Sequence, residues 1–171
     1  MKKIVIVLGS SRQFGNTYKL CEKIAKLTNA DLINLKEYDI HEYDYENKFD
    51  YDDFPGLLNK FSEYETIVFA TPIYWYSMSA RLKMFVDRMS DLITTKKELG
   101  RQIKGKNFAL ISTNYDGNLD FDFAQTFKLI ANYLHLNFID HLHISGIQLE
   151  KDELTSESKQ TINDFAELIK K

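Results

Sequence analysis

Cysteine and proline are scarce in this chain, which has one cysteine and two prolines among its 171 residues. A single cysteine excludes an intrachain disulfide and an iron–sulfur cluster held by the chain's own cysteines. We expect that residue, Cys21, to be an inert part of the core, since it falls on the apolar face of a predicted helix. With so little proline and no low-complexity tract there is no sign of a linker, so we expect one domain over residues 1–171.

Basic clusters and long apolar runs are also missing. The chain has 22 basic and 25 acidic residues, and its formal net charge of −3 argues against a nucleic-acid partner. No apolar run is long enough to span a bilayer, and the first residues lack the anatomy of a signal peptide. We therefore expect a cytoplasmic protein without a membrane partner.

Short apolar runs, by contrast, recur along the chain and are typical of buried parallel strands. They are Ile4–Leu8, Leu32–Leu35, Thr66–Ala70, Phe108–Thr113 and Phe138–Ile144. Between them, apolar residues recur with helical spacing, as in Leu20, Ile24 and Leu27, in Leu82, Phe85, Val86, Met89 and Ile93, in Phe123, Phe127, Ile130 and Leu134, and in Ile162, Phe165 and Ile169. A shorter helix is expected near Phe54–Glu63. This alternation predicts an α/β fold with a doubly wound, five-stranded parallel sheet.

The turn after the first predicted strand reads GSSRQFGNT over residues 9–17. Its small polar residues, one arginine and lack of an acid suit a phosphate group, which the N–H groups of a helix start would also attract. We expect Asn16 or Thr17 to cap that helix while reaching the anion. The plainer alternative is a polar turn that only caps the helix.

Two other phosphate-binding motifs do not fit this turn. Five residues separate Gly9 from Gly15, and Asn16 replaces the lysine of a Walker loop. Ser11 stands where a dinucleotide fingerprint requires its second glycine. The turn therefore favours a mononucleotide with one terminal phosphate.

Two further turns are expected at the same edge of the sheet. The segment Thr71–Ser79 contains Pro72 and three adjacent aromatic residues, Tyr74, Trp75 and Tyr76, which could form a flat wall for a planar ring. The alternative is that these aromatic residues only cover the core. The segment Asn114–Asn118 adds amide donors and Tyr115, although its composition is also that of an ordinary loop.

Together these segments resemble the flavodoxin-like NAD(P)H-dependent FMN reductases. The resemblance is carried by the S-x-R-x-x-G-N-T core of residues 10–17 and by the P-x-Y-W loop that runs into Leu82-Lys83 and Asp87-Arg88. It covers the chain from Lys2 to about Ile144 and implies a flavodoxin-like sheet with strand order 2-1-3-4-5 and helices on both faces. Tyr76 and Ala80 stand where family members often have glycine, so we expect a narrower ring pocket.

The resemblance implies an FMN cofactor, NADH or NADPH as co-substrate, and a small acceptor such as a flavin, a quinone, or a nitro or azo compound. The residues that it implicates in FMN binding are Ser10, Arg12, Gly15, Asn16 and Thr17 at the phosphate, Pro72, Ile73, Tyr74, Trp75 and Ser77 along the isoalloxazine, and Asn114, Tyr115 and Gly117 on its far edge. No catalytic acid or nucleophile is expected, because the cofactor carries the hydride chemistry. A homodimer is also implied, since a partner subunit often completes the pocket in this family.

Several alternatives stay open at this point. A flavodoxin-type one-electron carrier would share the fold and the cofactor, whereas a phosphoacceptor switch would need an Asp where Ala70-Thr71-Pro72 stands. The aromatic and acidic segment 37–54 is either a solvated loop or a lid or dimer contact over the flavin. His141 and His143 share a strand face and could bind a metal, but no third ligand is evident.

Overall fold

A parallel sheet organises the chain, and the computed structural model describes residues 3–46, 48–49 and 51–171 of it. Its strands are β1 (Ile4–Leu8), β2 (Asp31–Asn34), β3 (Thr66–Tyr74), β4 (Ser77–Met78), β5 (Asn107–Asn114) and β6 (Asn137–Ser145). The parallel strands lie in the order β2-β1-β3-β5-β6, and the short β4 pairs antiparallel with β3. The predicted order 2-1-3-4-5 is therefore confirmed for the five parallel strands, with one short hairpin strand added.

Helices cover both faces of this sheet. They are α1 (Asn16–Thr28), α2 (Phe54–Phe61), α3 (Ala80–Arg88), α4 (Lys97–Ile103), α5 (Ala124–Tyr133), α6 (Gly146–Glu150) and α7 (Ser156–Ile169). Alternate residues of each strand face opposite sides. Ile4 and Ile6 accordingly pack with α1 and α7, whereas Val5 and Val7 pack with α2, α3 and α5. In the described part of the chain, no helix is both long enough and apolar enough to cross a membrane.

Two residues expected on buried helix faces are exposed. Leu27 is 45% exposed, and the last turn of α1 is buried instead through Thr28, whose hydroxyl donates to the Ile24 carbonyl. Ile93 is 42% exposed because α3 ends at Arg88 and the chain tightens into a 3-10 turn over Met89–Leu92. Cys21 is fully buried, and burial raises the pKa of its thiol, in keeping with an inert core residue.

The start of α3 ties the first two turns together at the carboxyl edge of the sheet. The Ser79 hydroxyl caps α3 by accepting from Leu82 N–H and donates to the Gly9 carbonyl at 2.5 Å. Ser79 N–H in turn donates to the buried Thr71 hydroxyl. Gly9 has to be small here, because an added Cβ would lie 2.5 Å from the Leu82 Cβ.

The 38–53 loop is more structured than a simple solvated loop. The carboxylate of Asp52 is buried, accepts from His41 and Phe54 N–H groups, and forms an ion pair with the buried Arg88 at 2.5 Å. Tyr45 and Tyr51 nevertheless stay exposed. Asn47 and Asp50, which belong to the predicted segment, lie outside the described residues.

Candidate functional site

A cleft of about 260 Å³ opens at the carboxyl ends of β1, β3 and β5. Its walls come from the three turns that the sequence singles out. The lining residues are Ser10, Arg12, Gly15, Asn16, Thr17, Pro72, Ile73, Tyr74, Thr113, Asn114 and Tyr115. Of the predicted residues, Trp75, Ser77 and Gly117 do not line this cleft.

The first turn presents donors without competing acids. Arg12 is exposed, and among the described residues no carboxylate forms an ion pair with it. The Ser10 hydroxyl is buried and accepts from Arg12 N–H at 3.2 Å, which shapes the turn. The first turn of α1 contains no acid. A positive guanidinium and the positive end of the helix dipole therefore face the same opening.

The predicted cap of α1 is wrong. The N-cap residue is Gly15 and makes no side-chain hydrogen bond to the helix, while Asn16 and Thr17 are already inside it. Both residues line the cleft, and neither side chain caps the helix start. The N–H groups of the first turn thus lack a side-chain cap, as in helix N-termini that bind anions.

A pair of buried hydroxyls joins the first turn to the third. Thr17 and Thr113 are almost fully buried, and their Oγ1 atoms lie 2.7 Å apart. Thr113 is a lining residue that the sequence reasoning missed, because a threonine at a strand end resembles ordinary β-sheet composition. Its position beside the candidate third turn was the available signal.

The second turn is a β-hairpin rather than a loop. β3 continues through Pro72 to Tyr74, which pairs with Ser77 of β4, so that Trp75 and Tyr76 form the tip. Both tip residues have positive φ, 49° and 62°, in the pattern of a type I′ turn that usually requires Asn or Gly. Their side chains are 94% and 77% exposed. The tip therefore projects into solvent, and only the base of the hairpin lines the cleft.

Pro72 fits inside β3 because that strand has become an edge on one side. β1 ends at Leu8, opposite Ala70, and β4 begins to pair with β3 only at Ile73, so at Pro72 the ladder partner is β5 alone. A missing proline N–H is tolerated at an edge. Ser77 lies on the far side of the hairpin, where it lines a smaller cavity together with Tyr76 and Phe121.

The third turn is held by the side chain of Asn114. Its Oδ1 accepts from Gly117 N–H at 2.7 Å, and its Nδ2 donates to the Asn118 carbonyl at 2.6 Å. Gly117 has a φ of 91° and faces Ser145, whose Cβ would lie 2.8 Å from an added Cβ. Gly117 therefore shapes the turn from behind, while Asn114 and Tyr115 reach the cleft.

The two histidines that the sequence offers as metal ligands form hydrogen bonds to a serine instead. The Ser112 hydroxyl lies 2.7 Å from Nε2 of His141 and 2.7 Å from Nδ1 of His143. Within the described ranges, no group of three or more His, Cys, Asp or Glu side chains is placed to hold a metal. Burial lowers the pKa of His141 to about 4, and the neighbouring His143 acts in the same direction.

The fold defines a flavodoxin-like α/β protein, and its cleft lies at the carboxyl edge of the sheet, where ligands of such folds bind. The solved structure of the Trp repressor binding protein from Bacillus subtilis is similar over 99% of both chains, with a TM-score of 0.73 and 24% identity. The general stress protein 14 from Treponema denticola, solved in complex with FMN, matches with a TM-score of 0.69 and 15% identity over 98% of this chain and 97% of that one. At such identities these likenesses bear on the fold.

The sequence matches the NADPH-dependent FMN reductase family over residues 2–147, and the chain belongs to that family. A curated relative from Bacillus subtilis (strain 168), named "Putative NAD(P)H-dependent FMN-containing oxidoreductase YwqN", is 28% identical over 146 residues, which are 80% of this chain and 81% of the relative. The family resemblance expected from the sequence is therefore confirmed, as are its cofactors, FMN and NAD(P)H.

The residues of the cleft fit FMN in their chemistry. An arginine that pairs with no carboxylate in the described part of the chain, two hydroxyls and an uncapped helix start match a phosphate dianion. Between the hairpin base and the third turn, the cleft presents Ile73, Tyr74 and Tyr115, which suit a planar ring. That these particular residues hold the cofactor stays a prediction.

Proposed function

We propose that this chain is an NAD(P)H:acceptor oxidoreductase that binds FMN in the cleft of the three turns and passes electrons to a small flavin, quinone, nitro or azo compound. The observation that carries the proposal is the position of Arg12, which is exposed, has no acidic partner among the described residues and lies beside an acid-free helix start. FMN held there would supply the redox chemistry, with a hydride from the nicotinamide as the source of the electrons for the acceptor.

The chain's own residues then have two tasks. Arg12, Ser10, Asn16 and Thr17 bind the phosphate and fix the depth of the cofactor. Backbone and aromatic atoms of the hairpin base and of the third turn orient the ring. No side chain is required to act as a nucleophile, because the chain's contribution is binding, orientation and exclusion of water.

The phosphate role of Arg12 is tested by charge reversal. Arg12→Glu removes a charge-assisted hydrogen bond worth about 1.5–3 kcal/mol and adds repulsion, so FMN affinity should fall by about 100-fold. Affinity for riboflavin, which lacks the phosphate, should change little. Lys159→Glu makes the same charge change on the exposed surface of α7 and should leave both affinities unaltered. Equal FMN binding by the Arg12 variant and the wild type would refute the site.

The class of activity is tested by anaerobic titration of the FMN-loaded protein with NADH and with NADPH. A reductase should be bleached by one equivalent of the preferred nucleotide, with little semiquinone during stepwise photoreduction. A flavodoxin-type carrier would resist the nucleotides and accumulate the one-electron form. That second result would overturn the proposed activity while leaving the FMN site in place.

The proposed homodimer has a candidate contact surface between α3 and α5. A cavity of about 380 Å³ lies there, and its rim includes the exposed side chains of Ile93, Leu129 and Tyr133. Sedimentation should give twice the 20.0 kDa chain mass. Leu129→Glu should then shift the protein toward the monomer, and a wild-type monomer would refute the proposed assembly.

A further inference from the structure

Behind the third turn, two histidines and a serine form a hydrogen-bonded row that ends on a residue of the cleft. It runs from His141 through Ser112 to His143, and His143 Nε2 lies 3.2 Å from Asn114 Oδ1. Ser112 is fully buried and both histidines are half-buried. The row lies on the face of β5 and β6 that packs against α5, and none of its members before Asn114 lines the cleft.

The direction of the protons in this row follows from the last link. Asn114 Oδ1 already accepts from Gly117 N–H, and its Nδ2 donates to the Asn118 carbonyl, so the amide oxygen faces His143. His143 Nε2 must therefore carry a proton and donate it to that oxygen. In a neutral imidazole the other nitrogen, Nδ1, is then an acceptor, and the Ser112 hydroxyl donates a hydrogen bond to it.

The remaining link is fixed in the same way. Ser112 has used its single proton on His143 Nδ1, so its oxygen accepts from His141 Nε2–H. With both histidines neutral, one proton arrangement satisfies all three contacts. Each histidine tautomer in this row is set by a neighbouring hydrogen bond, and the last hydrogen bond orients the Asn114 amide. Metal-ligating histidines are oriented in the same way by the groups that bind their second ring nitrogen.

The surroundings favour the neutral state that this arrangement needs. Burial lowers the pKa of His143 and outweighs three groups that act in the opposite direction, the Asp116 carboxylate and hydrogen bonds to the backbone of Gly117 and Ser112. Around His141, burial and His143 outweigh Asp122, and Lys128 of α5 adds to the lowering. Asp140 is occupied locally, since its Oδ1 accepts from the backbone N–H of His141.

We propose that His143 is a positioning residue for the cleft: its Nε2–H holds the Asn114 amide, and through it the 114–118 turn, in the shape in which Asn114 and Tyr115 meet the flavin. That a flavin binds in this cleft rests on the proposed function. The other anchors of the turn act on its backbone, since the Tyr115 carbonyl accepts from Ile147 N–H and from the Ser145 hydroxyl. Among the described side chains, His143 alone donates to Asn114 Oδ1.

Three substitutions separate this role from simple packing. Glutamine can place an amide nitrogen where His143 has Nε2, whereas asparagine reaches only to the position of Nδ1, and leucine has comparable bulk but no donor. FMN dissociation constants should therefore rise about tenfold in His143→Asn and His143→Leu, the loss of one hydrogen bond. They should stay within about threefold of the wild type in His143→Gln. Equal losses in the glutamine and leucine variants would overturn the proposal.

Nuclear magnetic resonance of the flavin-free protein tests the same proposal without reference to the ligand. The imidazole ¹⁵N spectrum of the wild type should show His143 protonated at Nε2 and unprotonated at Nδ1. Exchange protection of the Gly117 amide should be kept in His143→Gln and lost in His143→Leu. The opposite tautomer, or unchanged protection in the leucine variant, would refute the positioning role. A wild type that meets both expectations but does not bind FMN would instead refute the proposed function.

Discussion

The buried guanidinium of Arg88 gives the sharpest prediction about stability. Arg88 lies 2.5 Å from Asp52 and 3.3 Å from Asp91, and the three side chains are only 4%, 0% and 4% exposed. It also donates to the carbonyls of His41 and Phe49. One side chain at the end of α3 thus fastens the 38–53 loop to the body of the protein.

Replacing Arg88 by methionine keeps an unbranched stem, which ends near the position of Nε, and removes the guanidinium with its charge. The Asp52 carboxylate then stays buried without its cation, which costs about 3–5 kcal/mol in comparable pairs. Lys83→Met is the matched control, because Lys83 lies on the same helix and pairs with Asp87 four residues on, but both side chains are about half exposed. Such a pair contributes about 0.5 kcal/mol or less.

Urea unfolding followed by far-UV circular dichroism measures both changes. The Arg88 variant should lose several times more unfolding free energy than the Lys83 variant. In a double-mutant cycle, Asp52→Asn should be less harmful in the Arg88→Met background than in the wild type, with a coupling of at least about 1 kcal/mol. A loss below about 1 kcal/mol in Arg88→Met, or additive effects in the cycle, would refute the reasoning.

Three further changes have definite expected outcomes. Gly9→Ala places a Cβ 2.5 Å from a side chain of α3 and should lower the free energy of unfolding in urea by about 1–3 kcal/mol. Gly56→Ala is the control: the added Cβ in α2 has no atom within 4 Å, so this variant should be slightly more stable than the wild type. Replacing Trp75-Tyr76 by Asn-Gly should raise stability by about 1 kcal/mol, since it relieves two positive φ angles, and a lower urea midpoint would contradict that explanation. The pKa of His141 is lowered from 6.5 to about 4, so the unfolded chain binds more protons between those values and stability should fall as the pH drops through that window. His141→Gln should flatten this part of the stability profile, and an unchanged slope would exclude His141 as its source.

The strands and the three turns could be predicted because each depends on a local pattern, whereas the strand order was implied by the family resemblance. Apolar runs such as Ile4–Leu8 indicate buried strands, and the carboxyl ends of parallel strands meet at one edge of the sheet. The β3–β4 hairpin could not be predicted in this way. Its tip has Trp75 and Tyr76 where turn chemistry calls for Asn and Gly, so the sequence carries no turn signal there.

Other features depend on contacts between distant residues and leave no trace in sequence spacing. The hydroxyl pair of Thr17 and Thr113 joins residues 96 positions apart. Asp52 is one of many acids in its segment, and only the fold reveals that it is buried against Arg88. In each case the sequence shows the type of residue but not which distant residue it contacts.

The hydroxyl of Ser79 has a consequence for how the cleft meets a ligand. Because it bonds the Gly9 carbonyl and caps α3, while its N–H engages Thr71, the two strand exits behave as one rigid body. The entropic cost of ordering these two strand ends then falls on folding and not on nucleotide binding. A larger part of the free energy of the nucleotide contacts therefore contributes to affinity. Ser79→Ala should thus weaken cofactor binding through a loosened receptor, although Ser79 lines no part of the cleft.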